Sequence, residues 1–283
     1  MPELPEVETV RRTLIELVKG KTIAEIDVRW PKMIKKPDDV FQFQDALKGQ
    51  VIRDIGRRGK FLMFSLDDYV LVSHLRMEGK YGLYRDEEEP GKHTHVIFRF
   101  GDGTHLRYDD VRKFGTMHLF EKGKEQHDLP LSQLGPEPFS NEFSADYLAD
   151  ILSRTNRMIK VVLLDQRVVT GLGNIYVDEA LFRARLHPEK PAKELSINEV
   201  HDLKESIIST LGEAVEQGGS TIRSYVNSQG KTGMFQLQLF VYGRKAEPCK
   251  VCGTAIEKKT VGGRGTHYCP NCQLLDPGIS ANT

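Results

Sequence analysis

At 283 residues the chain is long enough for two domains with cores of their own and a small extra module. Apolar residues at 39% and charged residues at 28% exclude a disordered chain. No run is long and apolar enough to span a membrane and no basic-then-apolar leader opens the chain, so a cytoplasmic protein with no membrane partner is expected. Lys and Arg number 40 against 40 Asp and Glu, yet the charge is unevenly placed. Between Gly218 and Gln273 lie eight basic residues and two acidic ones, a local net of +6. That asymmetry fits either a nucleic-acid-binding face or a solvated charged surface.

In chain order, residues 5–19 predict a helix, because Val7, Val10, Leu14, Leu17 and Val18 share one face and Gly20 follows as a stop. From Thr22 to Phe120 the pattern becomes short β segments: 24–28, 51–55, 61–66, 70–75, 81–84, 95–100, 105–108 and 117–120. Gly, Asp and charged turns separate them, as in a β-sandwich or barrel. Leu129 to Phe143, with three prolines, resembles a linker. Helices follow at 145–152, 159–164, 175–183 and 197–216, the last opened by a Ser196/Glu199 capping box. A Gly/Ser-rich loop covers 218–233 and is too long to be a mere connector. An apolar strand is expected over 235–242, and residues 274–283 form a tail.

Several of these segments carry chemistry. If Met1 is removed, Pro2 presents a secondary amine at the chain terminus. Model α-amino groups titrate near ~8, well below lysine, so a useful fraction is unprotonated at neutral pH. Such an amine attacks electrophilic carbon and forms an iminium with a carbonyl, while Glu3 beside it could move protons. Met-Pro starts are also ordinary, so the rest of the chain must give Pro2 its meaning.

All four cysteines fall in one pattern, Cys249-x2-Cys252 and Cys269-x2-Cys272, which predicts one closed structural Zn²⁺ site. Between the knuckles run Lys258, Lys259 and Arg264, a basic hairpin tip suited to phosphate. Gly171-Leu172-Gly173-Asn174 opens a helix, where Asn174 could cap, orient a phosphate, or both. Lys60 follows Arg57-Arg58-Gly59 ahead of an apolar segment. Met77, Arg112 and Phe114 lie at turns; projecting together, they could wedge into a base stack and fill the hole left by an extruded nucleotide.

Taken in order, Pro2-Glu3-Leu4-Pro5-Glu6-Val7-Glu8, Lys60, His74–Met77, Arg112-x-Phe114-Gly115, Leu163-Leu164-Asp165-Gln166, Gly171–Tyr176 and the four-cysteine finger resemble the bacterial formamidopyrimidine-DNA glycosylases. The resemblance spans residues 2 to 273. It implies an α+β multidomain fold: an N-terminal helix and β-sandwich over 1–133, a helix–two-turn–helix domain with a lesion-capping loop over 134–234, a zinc-finger β-hairpin over 235–273, and a tail. It implies removal of 8-oxoguanine and formamidopyrimidines from damaged double-stranded DNA by a monomer with one structural Zn²⁺, followed by strand cleavage.

By the same resemblance Pro2 is the nucleophile, Glu3 the general acid and Glu6 a supporting carboxylate. Lys60 serves β-elimination and Arg264 δ-elimination. His74, His93, Asn174, Tyr242, Lys258 and Arg264 grip phosphates. Met77, Arg112 and Phe114 fill the void, and Thr221, Ile222, Arg223, Ser224 and Tyr225 cap the lesion. The endonuclease VIII branch, which prefers oxidised pyrimidines, typically has Glu-Gly-Pro where this chain has Glu3-Leu4-Pro5, and usually lacks so long a loop. A non-catalytic zinc-ribbon DNA binder would explain the cysteines and basic stretch but not Pro2, Glu3 and Lys60 together. The chain departs from the family pattern at Asn156, where some members are basic, at Ala246, where glycine is common, and at Thr170, where a small apolar residue is usual.

Overall fold

The computed structural model describes residues 1–85, 87–220 and 234–275. Two compact units emerge, Met1–Gln133 with Gln217–Met234, and Leu134–Glu216 with Phe235–Thr283.

The first unit opens with α1 (Leu4–Val18), whose buried Val7, Val10, Leu14 and Val18 form the predicted stripe. Gly20 ends the helix at φ +84°, a conformation that favours glycine, and its N–H bonds the Ile52 carbonyl. Strands β1 (Ile23–Val28) and β2 (Ile34–Lys36) follow, then α2 (Val40–Leu47). The remaining strands are β3 (Asp54–Arg58), β4 (Phe61–Ser65), β5 (Tyr69–His74), β6 (Lys80–Arg85), β7 (Thr94–Phe100), β8 (Thr104–Asp109) and β9 (Thr116–Glu121). They form two sheets, ordered β1-β7-β8-β6 and β2-β9-β5-β4-β3, antiparallel except for the β2–β9 pair. One apolar core runs through them, joining Val7, Val10 and Leu14 of the helix to Leu62, Phe64, Leu71, Tyr81, Phe98, Leu106, Tyr108 and Met117. At about 25 cal/mol per Å² of apolar surface buried, side chains of this size each contribute roughly 1.5–3 kcal/mol.

The second unit is helical, with α3 (Ala145–Ser153), α4 (Ile159–Leu163), α5 (Asn174–Arg183) and α6 (Ile197–Glu216). The Ser196/Glu199 box at the start of α6 is present in both directions: Ser196 N–H donates to Glu199 Oε2 at 2.8 Å and Glu199 N–H to Ser196 Oγ at 3.3 Å. A hairpin of β10 (Glu257–Val261) and β11 (Arg264–Tyr268) completes the unit. Its two-residue turn, Gly262 (φ +55°) and Gly263 (φ +74°), is the type that needs positive φ at both central positions.

Residues 235–242 correct the expected strand. Phe235–Gln238 form a 3₁₀ turn, and the amides of Phe240, Val241 and Tyr242 bond the Glu179 carboxylate instead of a neighbouring strand. Phe235, Leu239 and Val241 are buried but Leu237, which a strand would place on the same face, is exposed, and no ladder joins the segment. Of the departures, Ala246 adopts φ +67°, which explains why glycine suits that position. Thr170 is fully buried, its N–H bonded to the Pro136 carbonyl, and Asn156 is exposed just before α4. No described helix is long and apolar enough to cross a membrane.

Candidate active site and nucleic-acid interface

Pro2 is buried directly ahead of α1, and Glu3 is the N-cap of that helix in extended conformation. Glu3 and Glu6 form a reciprocal capping box, in which Glu3 N–H donates to Glu6 Oε2 at 2.9 Å. Proline at the second helical position, Pro5, costs no hydrogen bond there, because that amide would have no partner inside the helix. Glu6 uses its other oxygen to accept from Ser220 N–H at 2.8 Å and Ser220 Oγ–H at 3.3 Å. Gly219, at φ +80°, must be glycine: a Cβ would lie 2.7 Å from Glu6 Oε1. Both carboxylates are almost fully buried beside the free end of the chain.

Lys60 occupies the β3–β4 turn after Gly59 (φ +56°) and is 5% exposed. Arg57 ties this turn to α1, donating to Glu8 Oε2 at 3.3 Å and to the Gly59 carbonyl at 2.9 Å. Glu8 in turn takes Arg11 and Arg12, and these partners hold its carboxyl below the usual range despite partial burial. The first turns of α1 and the Lys60 hairpin are thereby held on the same side of the sandwich.

His74 lies across from Phe61, with the rings edge-on at 4.5 Å. Burial pushes its pKa down to about 3, helped by the charges of Arg76, Lys60 and His118. It is therefore neutral at physiological pH. Its Nδ1 accepts from Arg76 N–H at 2.8 Å, so the proton sits on Nε2, which can donate to an anion without bringing a charge.

Met77 and the Arg112–Phe114 pair stand on two exposed turns. Met77 is 39% and Phe114 52% exposed, and the Arg112 guanidinium lies over the Phe114 ring at 4.9 Å. Asp110, buried, organises the second turn by accepting from Arg112 N–H at 3.0 Å and Gly115 N–H at 2.8 Å. His95 donates to the Asp110 carbonyl, and Asp110 N–H bonds the His93 carbonyl, which fixes half-buried His93 beside this turn.

In the second unit Asn174 is not the cap of α5. Gly173 is the cap, and Asn174, the first helical residue, donates its side-chain amide to the Gly265 carbonyl at 2.8 Å. A buried ion pair supports the same strand: Lys160 Nζ lies 2.6 Å from Asp178 Oδ1, both side chains fully inaccessible. Asp178 Oδ2 accepts from His267 N–H at 2.8 Å, and Lys160 reaches the Gly265 carbonyl at 3.3 Å. Glu179 is the adjacent anchor. Burial raises its pKa against the pull of the Tyr242, Phe240 and Val241 amides, and it fixes Tyr242, whose ring meets His267 edge-on at 4.9 Å. Lys160, Asp178 and Glu179 escape the motif reading, although acidic residues inside the apolar run Tyr176–Leu181 are a visible signal that buried partners exist.

The hairpin leaves Lys258 and Arg264 exposed, while Lys259 pairs with Glu189. Gly262 packs its backbone against Val161 of α4 so closely that a Cβ would come within 2.5 Å. Cys249, Cys252, Cys269 and Cys272 bring their sulfurs within 4.8 Å of one another. The Cys249–Cys272 and Cys252–Cys269 separations of 3.9 and 3.5 Å bracket the edge of about 3.8 Å expected for a tetrahedron with Zn–S bonds of about 2.3 Å. The four thiols fit one Zn²⁺ in a closed, structural site. The loop residues Thr221, Ile222, Arg223, Ser224 and Tyr225 lie outside the described residues.

Three family models match the chain in sequence order. Residues 1–117 match the formamidopyrimidine-DNA glycosylase N-terminal domain, 134–226 the H2TH domain of the same enzymes, and 246–274 a zinc finger found in FPG and IleRS. A formamidopyrimidine-DNA glycosylase of Shouchella clausii is 67% identical over 273 residues, covering 96% of this chain and 99% of its own. This chain belongs to the formamidopyrimidine-DNA glycosylase family. Its fold follows Lactococcus lactis Fpg in complex with DNA containing an abasic site, at 44% identity and TM-score 0.91, covering 96% of this chain and 100% of that one. A second Lactococcus lactis structure, wild-type Fpg (MutM) with DNA containing N7-benzyl-Fapy-dG, gives TM-score 0.91 at 44% identity over 97% of this chain and 100% of that one.

Proposed function

We propose that this family member is a bifunctional enzyme that excises 8-oxoguanine and formamidopyrimidines from duplex DNA and then cuts the strand. The observation that carries the reading is the N-terminal arrangement: Pro2 buried beside the reciprocal Glu3/Glu6 box, on a helix tied through Glu8 and Arg57 to the turn bearing Lys60. An amine, two carboxylates and a lysine suit an iminium mechanism and have no evident use in passive binding. The Pro2 nitrogen attacks C1′, the C1′–N bond to the base breaks, and the base departs with a proton. Glu3 protonates O4′ as the sugar ring opens, leaving the iminium on Pro2. With the iminium as electron sink, loss of the C2′ proton expels the 3′ phosphate, the step assigned to Lys60. A second elimination, assigned to Arg264, expels the 5′ phosphate.

The remaining residues position DNA. His74, His93, Asn174, Tyr242 and Lys258 hold phosphates, with neutral His74 acting as an N–H donor. Met77, Arg112 and Phe114 enter the space left by the extruded nucleotide, and Arg112 meets the orphaned base. Thr221–Tyr225 cap the lesion. Residues 1–133 supply Pro2, Glu3 and Lys60, 134–234 the helix–two-turn–helix and capping loop, and 235–273 the finger with Arg264. The enzyme acts as a monomer.

Borohydride trapping tests this. With a duplex carrying 8-oxoguanine opposite cytosine, the chain freed of Met1 forms a covalent adduct that mass spectrometry locates at Pro2, and forms less with thymine glycol. No adduct at Pro2 overturns the enzyme reading, and preference for thymine glycol overturns the purine assignment.

A further inference from the structure

The exposed turns that carry Met77 and Arg112–Phe114 are the two places where neighbouring strands cross together from one sheet to the other. β5 and β9 pair in the five-stranded sheet up to His74 opposite Thr116, and β6 and β8 pair in the four-stranded sheet from Lys80 opposite Asp109. Residues 75–79 and 110–115 therefore bridge the same corner of the sandwich. Their shared support is Tyr108, on β8 and fully buried in the core. Its ring meets Tyr81 edge-on at 5.0 Å, and Tyr81 donates to Ser73 Oγ at 2.7 Å, so the tyrosine is held from behind.

The Tyr108 hydroxyl ends between two glycines, one from each turn. A Cβ on Gly79 would lie 2.1 Å from that oxygen, and a Cβ on Gly115 would lie 1.8 Å from it. Neither glycine has the positive φ that would demand glycine on backbone grounds; Gly115 is required by the tyrosine alone, and Gly79 by the tyrosine together with the Leu75 carbonyl, which a Cβ would approach to 2.6 Å. Each turn is also closed by its own bond, Gly79 N–H to the Leu75 carbonyl at 2.9 Å and Gly115 N–H to Asp110 Oδ2 at 2.8 Å.

We propose that Tyr108 is a positioning residue for base extrusion, its hydroxyl lodged between Gly79 and Gly115 so that both turns stand as one preformed wedge. The proposal rests on the reading of Met77, Arg112 and Phe114 as the group that enters the base stack. Opening a stack costs a few kcal/mol per step, and side chains on turns that give way would not hold it open. A rigid corner meets that cost without first ordering two separate loops.

The test compares Tyr108→Phe, Gly115→Ala, their double variant and Met77→Ala on two substrates. One is a duplex with 8-oxoguanine opposite cytosine; the other is a single strand with an abasic site, which has no stack to open. Single-turnover base release from the duplex should fall about tenfold in Tyr108→Phe and up to about a hundredfold in Gly115→Ala, while abasic single-strand cleavage stays within about twofold. The double variant should recover part of the Gly115→Ala loss, because the new methyl enters the space the oxygen vacates. Wild-type duplex rates in both single variants, or equal losses on both substrates, overturn the positioning role. If melting shows that Gly115→Ala does not fold, Tyr108→Phe, which keeps the ring, decides alone. The Met77→Ala arm separates the two readings. An unchanged duplex rate there sinks the wedge itself, whereas a loss there with intact Tyr108 and Gly115 variants sinks only the role of Tyr108.

Discussion

The β-sandwich unit and the zinc finger reach a fixed shape by opposite means. The sandwich buries a continuous apolar core from α1 through both sheets. The finger has only a small cluster, Phe182, Val241, Cys249, Ile256 and Cys269, two of them metal-ligand candidates. What it lacks in apolar burial is supplied by four thiols, the Lys160–Asp178 pair and the Glu179 carboxylate with its three amides. The difference teaches where each unit is vulnerable. A hydrophobic core degrades gradually with lost volume, whereas a metal-and-ion scaffold fails when one member is removed.

The largest expected effect separates the two at once. Removing zinc with a chelator should unfold the finger, since a structural site contributes about 10 kcal/mol or more to folding. Duplex affinity should be lost while the circular dichroism of the sandwich persists. Retained tight binding in the metal-free protein would deny the finger its part in the interface.

A smaller break uses the ion pair. Asp178→Ala strands the Lys160 charge in the interior and should cost about 3–5 kcal/mol in chemical denaturation, whereas replacing both members by apolar residues should recover most of it. Equal destabilisation by the single and double changes would show that volume, not charge, matters there.

These buried charges mark the limit of what sequence could reveal. Regular elements with strong periodicity were legible: α1, α6 and the segments around β4, β5 and β7 sit within a residue or two of their expected ends. The three-residue β2 left no local signal, because its place depends on parallel pairing with β9. α2 carries one, Asp39 capping Phe41 N–H ahead of buried Phe43 and Leu47. Cysteine spacing announced the metal site. Glu6 reaching Ser220, and Tyr108 reaching Gly79, join positions distant in sequence, and no spacing rule encodes such meetings.

The smallest effect sharpens the contrast through pH. His74 in the sandwich has its pKa lowered to about 3, while the unfolded chain protonates it near 6.5. Its contribution is complete above pH 6.5 and lost as pH falls from there towards 3, amounting to about 2 kcal/mol at pH 5. Melting at pH 7 and pH 5 measures it, and His74→Gln should flatten that part of the slope. An unchanged slope would place the acid sensitivity elsewhere.

The corner that carries Met77, Arg112 and Phe114 has a consequence for how the chain can vary. Surface turns ordinarily accept insertions and deletions, because nothing downstream depends on their length. Here residues 75–79 and 110–115 each join strands whose pairings are set at both ends, and a strand slipped by one residue presents the opposite face. Side chains at 77, 112 and 114 can be exchanged freely as far as folding is concerned. The number of residues between His74 and Lys80, and between Asp109 and Thr116, cannot. Composition at these three projecting positions is open to variation while length is frozen.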